Sequence, residues 1–299
     1  PWRVDVALLR NQLRFSAPLG LSKILPIITV NLDKMIVSAF YAVKEFAVYS
    51  VGAIELPFIP LITYTMGNVI SPKLSRLFYE NKKSELVVIW HRMVHKTSLC
   101  LYPIFVFSSM NAEDIITLLY SDRYQGSIRV FQIYLFLLLV RVSDNAAVIR
   151  ACNRTPVLFK ASILVFFASL ILTLVLVKTI GILGPALGTV ISVYVNVFYV
   201  IGQLRRPLGL SYGGILPWKH MMKVLILSIL CGLPLLPLRY VLTIGFLNLL
   251  IKGIVYVVIY LLLTTRLGIL EQTDWDLIRK YTGFELIRKI SKTLGTAQD

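Results

Sequence analysis

Seven ionisable side chains, Lys23, Asp33, Lys34, Glu55, Arg141, Asp144 and Lys252, stand with the amide of Asn31 inside stretches that are otherwise apolar. A charge at the middle of a bilayer costs roughly 2.5 to 3.5 kcal/mol, so seven of them facing lipid unpaired would cost ~18 to 25 kcal/mol. That exceeds the ~5 to 15 kcal/mol by which a protein fold is ordinarily stable. These groups must therefore be sheltered, and a polar cavity in a bundle of spanning helices is the economical shelter. The four cations suit an anionic passenger. The carboxylates, with Glu55 and Asp144 the candidates, suit a coupling H⁺ or Na⁺.

Each group also has a purely structural reading. Asp33 and Lys34 are adjacent and point ~100° apart on a helix, so one can face a cavity while the other meets a neighbouring helix. Arg141 and Asp144, three residues apart, can satisfy each other on one helical face, or act as a gate or relay. Glu55 has no basic residue three or four positions away, so it bonds other protein groups, is protonated or binds a cation. Lys23 can snorkel toward an interface if its span is shifted. Lys252 has about twelve residues on either side and reads as structural. Lys23, Asn31, Asp33, Lys34 and Arg141 are thus the cavity candidates. Tyr41, Tyr49, Tyr64 and Tyr194 can stack on sugars, although interface-belt and packing roles are commoner for such residues.

Enzyme signatures are absent. No Ser/His/Asp order, P-loop or dinucleotide fingerprint occurs, and the three cysteines show no metal-ligand spacing. No resident cofactor is expected. His91, His95 and His220 lie in basic segments and read as solvated surface residues.

The elements that position these groups are long apolar runs. Ser16 to Phe40, about 25 residues at ~1.5 Å rise, is long enough to cross a ~30 Å hydrocarbon core. Lys44 to Ser71 is longer than needed, and Pro57 and Pro60 predict a bend just beyond Glu55. Residues 72–96 hold six Lys/Arg against two Glu and read as a basic interfacial helix pair. Further spans follow near Thr97 to Met110, Ile128 to Ala151, Val157 to Val177 and Pro185 to Leu204. A brief helix carrying Glu113 and Asp114 in its first turn separates the first two of these. Gly181, Gly184 and Gly188 allow close helix approach. Two more spans lie near His220 to Leu238 and Tyr240 to Thr265, before a basic amphipathic tail.

The expectation is an all-α, polytopic transmembrane helix bundle of about eight spans. Composition agrees: 57% of the 299 residues are hydrophobic, 15% are charged and mean hydropathy is +0.76. The formal charge of +16 resides in loops of one face, at Arg3, Arg10 and Arg14, in 72–96, at Arg150 and Arg154, at Arg205, Arg206 and Lys219, and in the tail. The opposite face shows little beyond Lys44, Arg123, Lys178 and Arg239. This asymmetry predicts both termini on the cytoplasmic side and membrane lipids, not nucleic acid, as the partner of the charge. The chain opens on Pro1 without a methionine or signal peptide, which reads as a partial protein.

The stretches LRFSAPLGLSKIL, NLDKMIVSAF and FAVYSVG between Leu13 and Gly52 are followed by ISPKLSRLF (Ile70 to Phe78) and LLYSDRYQGS (Leu118 to Ser127). ACNRTP (Ala151 to Pro156) and GILGPALGT (Gly181 to Thr189) complete an order of motifs. That order resembles the Wzx-type polysaccharide and O-antigen flippases of the multidrug/oligosaccharidyl-lipid/polysaccharide (MOP) exporter superfamily. The resemblance covers roughly residues 10 to 205. Ser121, Asn153 and Pro185 depart from residues common in the family at those places. The resemblance implies a second transporter half over 1–205, two accessory spans over 206–265 and a cytoplasmic tail over 266–299, with the first half preceding Pro1. It further implies ion-coupled, alternating-access export of an undecaprenyl-pyrophosphate-linked glycan across a bacterial inner membrane. The rivals are a drug/cation antiporter of the same superfamily, whose cavity should be acidic, and a membrane-embedded glycosyltransferase or polymerase, which needs a catalytic acid cluster in a sizeable loop.

Overall fold

A computed structural model describes residues 24–56, 58–237 and 245–269; Lys23, Pro57, Arg239, the first 22 residues, the tail beyond 269 and the side chain of Tyr64 lie outside the described residues. Every regular element among the described residues is a helix. Helix α1 runs over 24–40, followed by α2 (Val43–Gly52) and α3 (Phe58–Tyr79). Helix α4 (Lys83–Met110) turns through 77° into α5 (Ala112–Tyr120). Then come α6 (Ser127–Leu135), α7 (Leu137–Val140), α8 (Asn145–Ala151), α9 (Thr155–Thr179) and α10 (Leu183–Leu208). A short α11 (Tyr212–Ile215) leads to α12 (Trp218–Gly232) and α13 (Phe246–Arg266).

Among the described residues, four stretches are long and apolar enough to cross a membrane: Ser127–Ala151, Thr155–Thr179, Leu183–Leu208 and Phe246–Arg266. The bent α4–α5 pair makes a fifth if it counts as one span. The chain is a multi-pass membrane protein. Its α9 is apolar all round and mostly uncovered, as a lipid-facing helix should be. Helices α9 and α10 meet as a tight antiparallel pair because glycines line the contact. A Cβ on Gly184 would sit 2.1 Å from the Leu176 carbonyl oxygen, and one on Gly188 would sit 2.8 Å from the Thr173 nitrogen.

The basic stretch 72–96 folds differently from the interfacial pair that its composition predicts. Its first part is the end of α3 and its second the start of the single 28-residue α4, joined by a turn in which Asn81 adopts φ 60°. Leu74, Leu77, Leu86 and Trp90 are buried between the two helices, so the apolar positions read as membrane-facing are core. The expected span near Thr97 to Met110 is likewise only the second half of α4. The brief acidic helix appears where predicted, as α5 with Glu113 and Asp114 in its first turn.

Candidate functional site

Two helices break at points that face each other. One break, between α2 and α3, takes in 53–56 and contains Glu55; the other separates α7 from α8 over 141–144 and contains Arg141 and Asp144. Arg141 Nε lies 2.7 Å from Glu55 Oε1, with both side chains about one-third exposed. Neither atom makes an aligned hydrogen bond, so the contact is an ion pair across the two breaks. The predicted self-pairing of Arg141 with Asp144 does not occur, because the chain is not helical between them. Asp144 instead caps α8, accepting from the Ala147 N–H at 3.0 Å, and its other oxygen is 3.7 Å from Arg150 Nη2.

A broken helix leaves carbonyls unpaired, and in a bilayer interior each needs a protein partner. Here a tyrosine supplies one: Tyr102 donates to the Leu139 carbonyl at 3.3 Å. Tyr194 donates at 2.9 Å to the Phe136 carbonyl before α7, which also accepts from the Leu139 N–H. Glycine admits the second break to the bundle: a Cβ on Gly67 of α3 would lie 2.1 Å from Asp144 Oδ2. Asp144 also borders a cavity of about 380 Å³ whose polar lining comes from Ser143, Asn145, Ser162 and Asn196, with Pro26 of α1 on its wall.

Asp33 and Lys34 separate as their helical spacing requires. Asp33 is fully buried, and its Oδ2 accepts from the hydroxyls of Tyr49, at 2.6 Å, and Tyr134. Its Oδ1 has no hydrogen-bond partner among the described residues. Lys34 is half-buried, with no ion-pair partner among the described residues. Asn31 is exposed and bonds back to the Ile27 carbonyl at 3.0 Å. The sequence-based candidates thus fall into two groups: Glu55, Arg141 and Asp144 at the facing breaks, and Asp33 among tyrosines between α1, α2 and α6. Lys23 lies outside the described residues.

Sequence reasoning missed the partners. Lys252, 1% exposed, donates to Asp114 Oδ2 at 2.7 Å, 138 residues away. No local spacing links the two. Two of the histidines are not solvated surface groups, whereas His220 is exposed as expected. His95 is buried with its ring 5.2 Å from that of exposed His220, and His91 Nε2 bonds the Ile215 carbonyl at 2.9 Å. The folded-back α11–α12 corner covers α4 there, which a charge count along the chain does not reveal.

Comparisons with known proteins bear out the resemblance read from the motifs. A family model described as a polysaccharide biosynthesis protein matches residues 1–129. The chain is 23% identical over 193 residues to the capsular polysaccharide biosynthesis protein CapF of Staphylococcus aureus, covering 64% of this chain and 49% of that protein. A solved structure of the lipid II flippase MurJ in an inward closed conformation superposes with a TM-score of 0.73 at 17% identity. It covers 93% of this chain and 57% of the MurJ chain. The chain spans about half the length of these relatives. Together the matches show a likeness to polysaccharide biosynthesis proteins in sequence and a MurJ-like membrane-transporter fold.

Proposed function

We propose that this chain is the C-terminal part of a transporter that flips lipid-linked oligosaccharide or polysaccharide units from the cytoplasmic to the outer leaflet. The observation that carries the reading is the Glu55–Arg141 ion pair, held at two facing helix breaks within a MurJ-like fold. A helix break at membrane depth is tolerated where it is buried in protein or lines a cavity, and transporters place their sites at such breaks. Arg141 is one-third exposed and offers further N–H donors to an anionic group, and Lys34 is a second half-buried cation. A guanidinium suits a pyrophosphate link because its planar fork matches phosphate oxygens two at a time.

In this reading the passenger is an undecaprenyl-pyrophosphate-linked glycan, and the anionic link displaces Glu55 from Arg141 as the breaks flex. Alternating access needs an opposing wall, supplied by a first half of matching architecture. Glu55 and Asp144 are the candidates to take up a coupling H⁺ or Na⁺. The basic residues at one end of the α9–α10 hairpin, Arg154, Arg205 and Arg206, support a cytoplasmic position for that end in a bacterial inner membrane. A drug/cation antiporter fits less well, since it has no use for Arg141 and Lys34 in a cavity.

The test uses the complete transporter in a flippase-deficient host. Lys34→Ala, Glu55→Gln and Arg141→Ala should each reduce surface glycan at unchanged membrane abundance. Unimpaired export by all three, at normal abundance, refutes the assignment of these residues to the passenger's path.

A further inference from the structure

The last turn of α10 carries a cation that the proposed transport path does not use. Arg205 lies with Cζ 3.8 Å from the ring centroid of Tyr212, so the guanidinium is stacked on the aromatic face. The tyrosine is itself fixed. Trp218 Nε1 donates to the Tyr212 carbonyl at 3.1 Å, Tyr212 Oη passes 3.7 Å from where a Cβ on Gly202 would stand, and His91 holds the Ile215 carbonyl at the end of α11. The chain reaches this corner through Gly209, which ends α10 at φ 68°.

Stacking covers one face of a guanidinium and leaves its edge N–H groups for acceptors in the plane. Arg205 Nε is shielded from solvent yet has no hydrogen-bond acceptor among the described residues. Neither Arg205 nor the exposed Arg206 beside it forms an ion pair there. Both stand in the final turn of a 26-residue candidate span, where lipid phosphates lie, with Tyr212 (60% exposed) and Trp218 alongside in the positions of an interfacial aromatic belt. A stacked guanidinium without an ion pair, a neighbouring second cation and a headgroup-level position all call for the same acceptor.

We propose that Arg205, held flat on Tyr212 and flanked by Arg206, is a docking site for the phosphate of an anionic glycerophospholipid headgroup. The terminal Nη groups take the phosphate oxygens, Arg206 adds charge, and the acyl chains lie along the uncovered apolar side of α10 at Val195 and Phe198. The bound lipid would fix the corner from which α12 starts.

Native mass spectrometry of the full chain, released from micelles containing phosphatidylglycerol and phosphatidylcholine, tests this directly. Wild-type protein should retain phosphatidylglycerol selectively, and Arg205→Ala should lose about fivefold of that retention, the effect of one basic group at a lipid surface. Tyr212→Ala should also lower retention while Tyr212→Phe keeps it, since only the ring is needed. The exposed Lys73→Ala, at the end of α3, should change nothing. Equal retention by wild type, Arg205→Ala and Tyr212→Ala overturns the proposal. So does an equal loss in Lys73→Ala, which would mean non-specific charge, or displacement of phosphatidylglycerol by millimolar inorganic phosphate, which would mean a free-anion site.

Discussion

Asp114→Asn should destabilise this protein more than any other single polar substitution on the α13 contact. Lys252 and Asp114 are 2.7 Å apart, and their side chains are 2% and 13% exposed. Removing the carboxylate's charge leaves an ammonium with almost no access to solvent. Stripping one partner from a buried pair costs about 3 to 5 kcal/mol. Lys252→Met should cost less, because the stranded Asp114 is the more exposed partner. Other polar contacts of α13 include Tyr256 to the Ser228 carbonyl and Tyr260 to the Leu99 carbonyl, each at 3.0 Å. Hydrogen bonds between membrane helices are worth about 0.6 kcal/mol on average, so Tyr→Phe at either site should be several-fold milder. The assay is a reversible unfolding titration in mixed micelles, run as a double-mutant cycle. The Lys252→Met/Asp114→Asn protein should be more stable than the sum of the single effects by at least ~2 kcal/mol. Additivity within about 0.5 kcal/mol, the behaviour of independent sites, refutes the pairing.

Three further outcomes follow from individual contacts. Gly67→Ala pushes a methyl into Asp144 Oδ2, 2.1 Å from the new Cβ, and should cost about 1 to 3 kcal/mol in a thermal melt; a wild-type melt contradicts the close approach. Tyr49→Phe and Tyr134→Phe each remove a donor from buried Asp33 and should destabilise by about 1 to 3 kcal/mol, whereas wild-type stability in both would mean that Asp33 is satisfied otherwise. In the exposed turn after α3, hydrogen bonds from Arg76 and Lys82 hold the Glu80 carboxyl down at about 2, below its ordinary 4.5. Its contribution is therefore present above pH 4.5 and is lost as pH falls toward 2. A carboxyl-carbon NMR titration should find that low midpoint, and Arg76→Ala should raise it.

The all-helical, multi-pass architecture and the positions of most elements were legible because hydrophobic runs and basic loops are local signals. The bend beyond Glu55 followed from proline, and the α9–α10 contact followed from Gly184 and Gly188. What failed depended on partners distant in sequence. Arg141 and Asp144 look like a pair only if the helix continues between them, whereas Ser143 and Asp144 are residues that favour a helix start, and Asp144 caps α8. At the break Tyr102, from α4, satisfies the Leu139 carbonyl that it frees. The 72–96 segment misled for another reason. Charged residues interleaved with Leu and Trp describe an interfacial helix and a helical hairpin equally well, and only the burial of Leu74, Leu86 and Trp90 decides. Asp33 was rightly separated from Lys34, but its two tyrosines come from α2 and α6 and carry no motif.

The most direct test of the central claim is lipid-linked glycan translocation by the complete transporter in proteoliposomes, comparing wild type with Arg141→Ala and Arg141→Lys. If the guanidinium at the facing breaks receives the passenger's anionic link, Arg141→Ala should abolish translocation and Arg141→Lys should restore only part of it, with equal amounts of protein inserted. Wild-type translocation by Arg141→Ala would contradict the account.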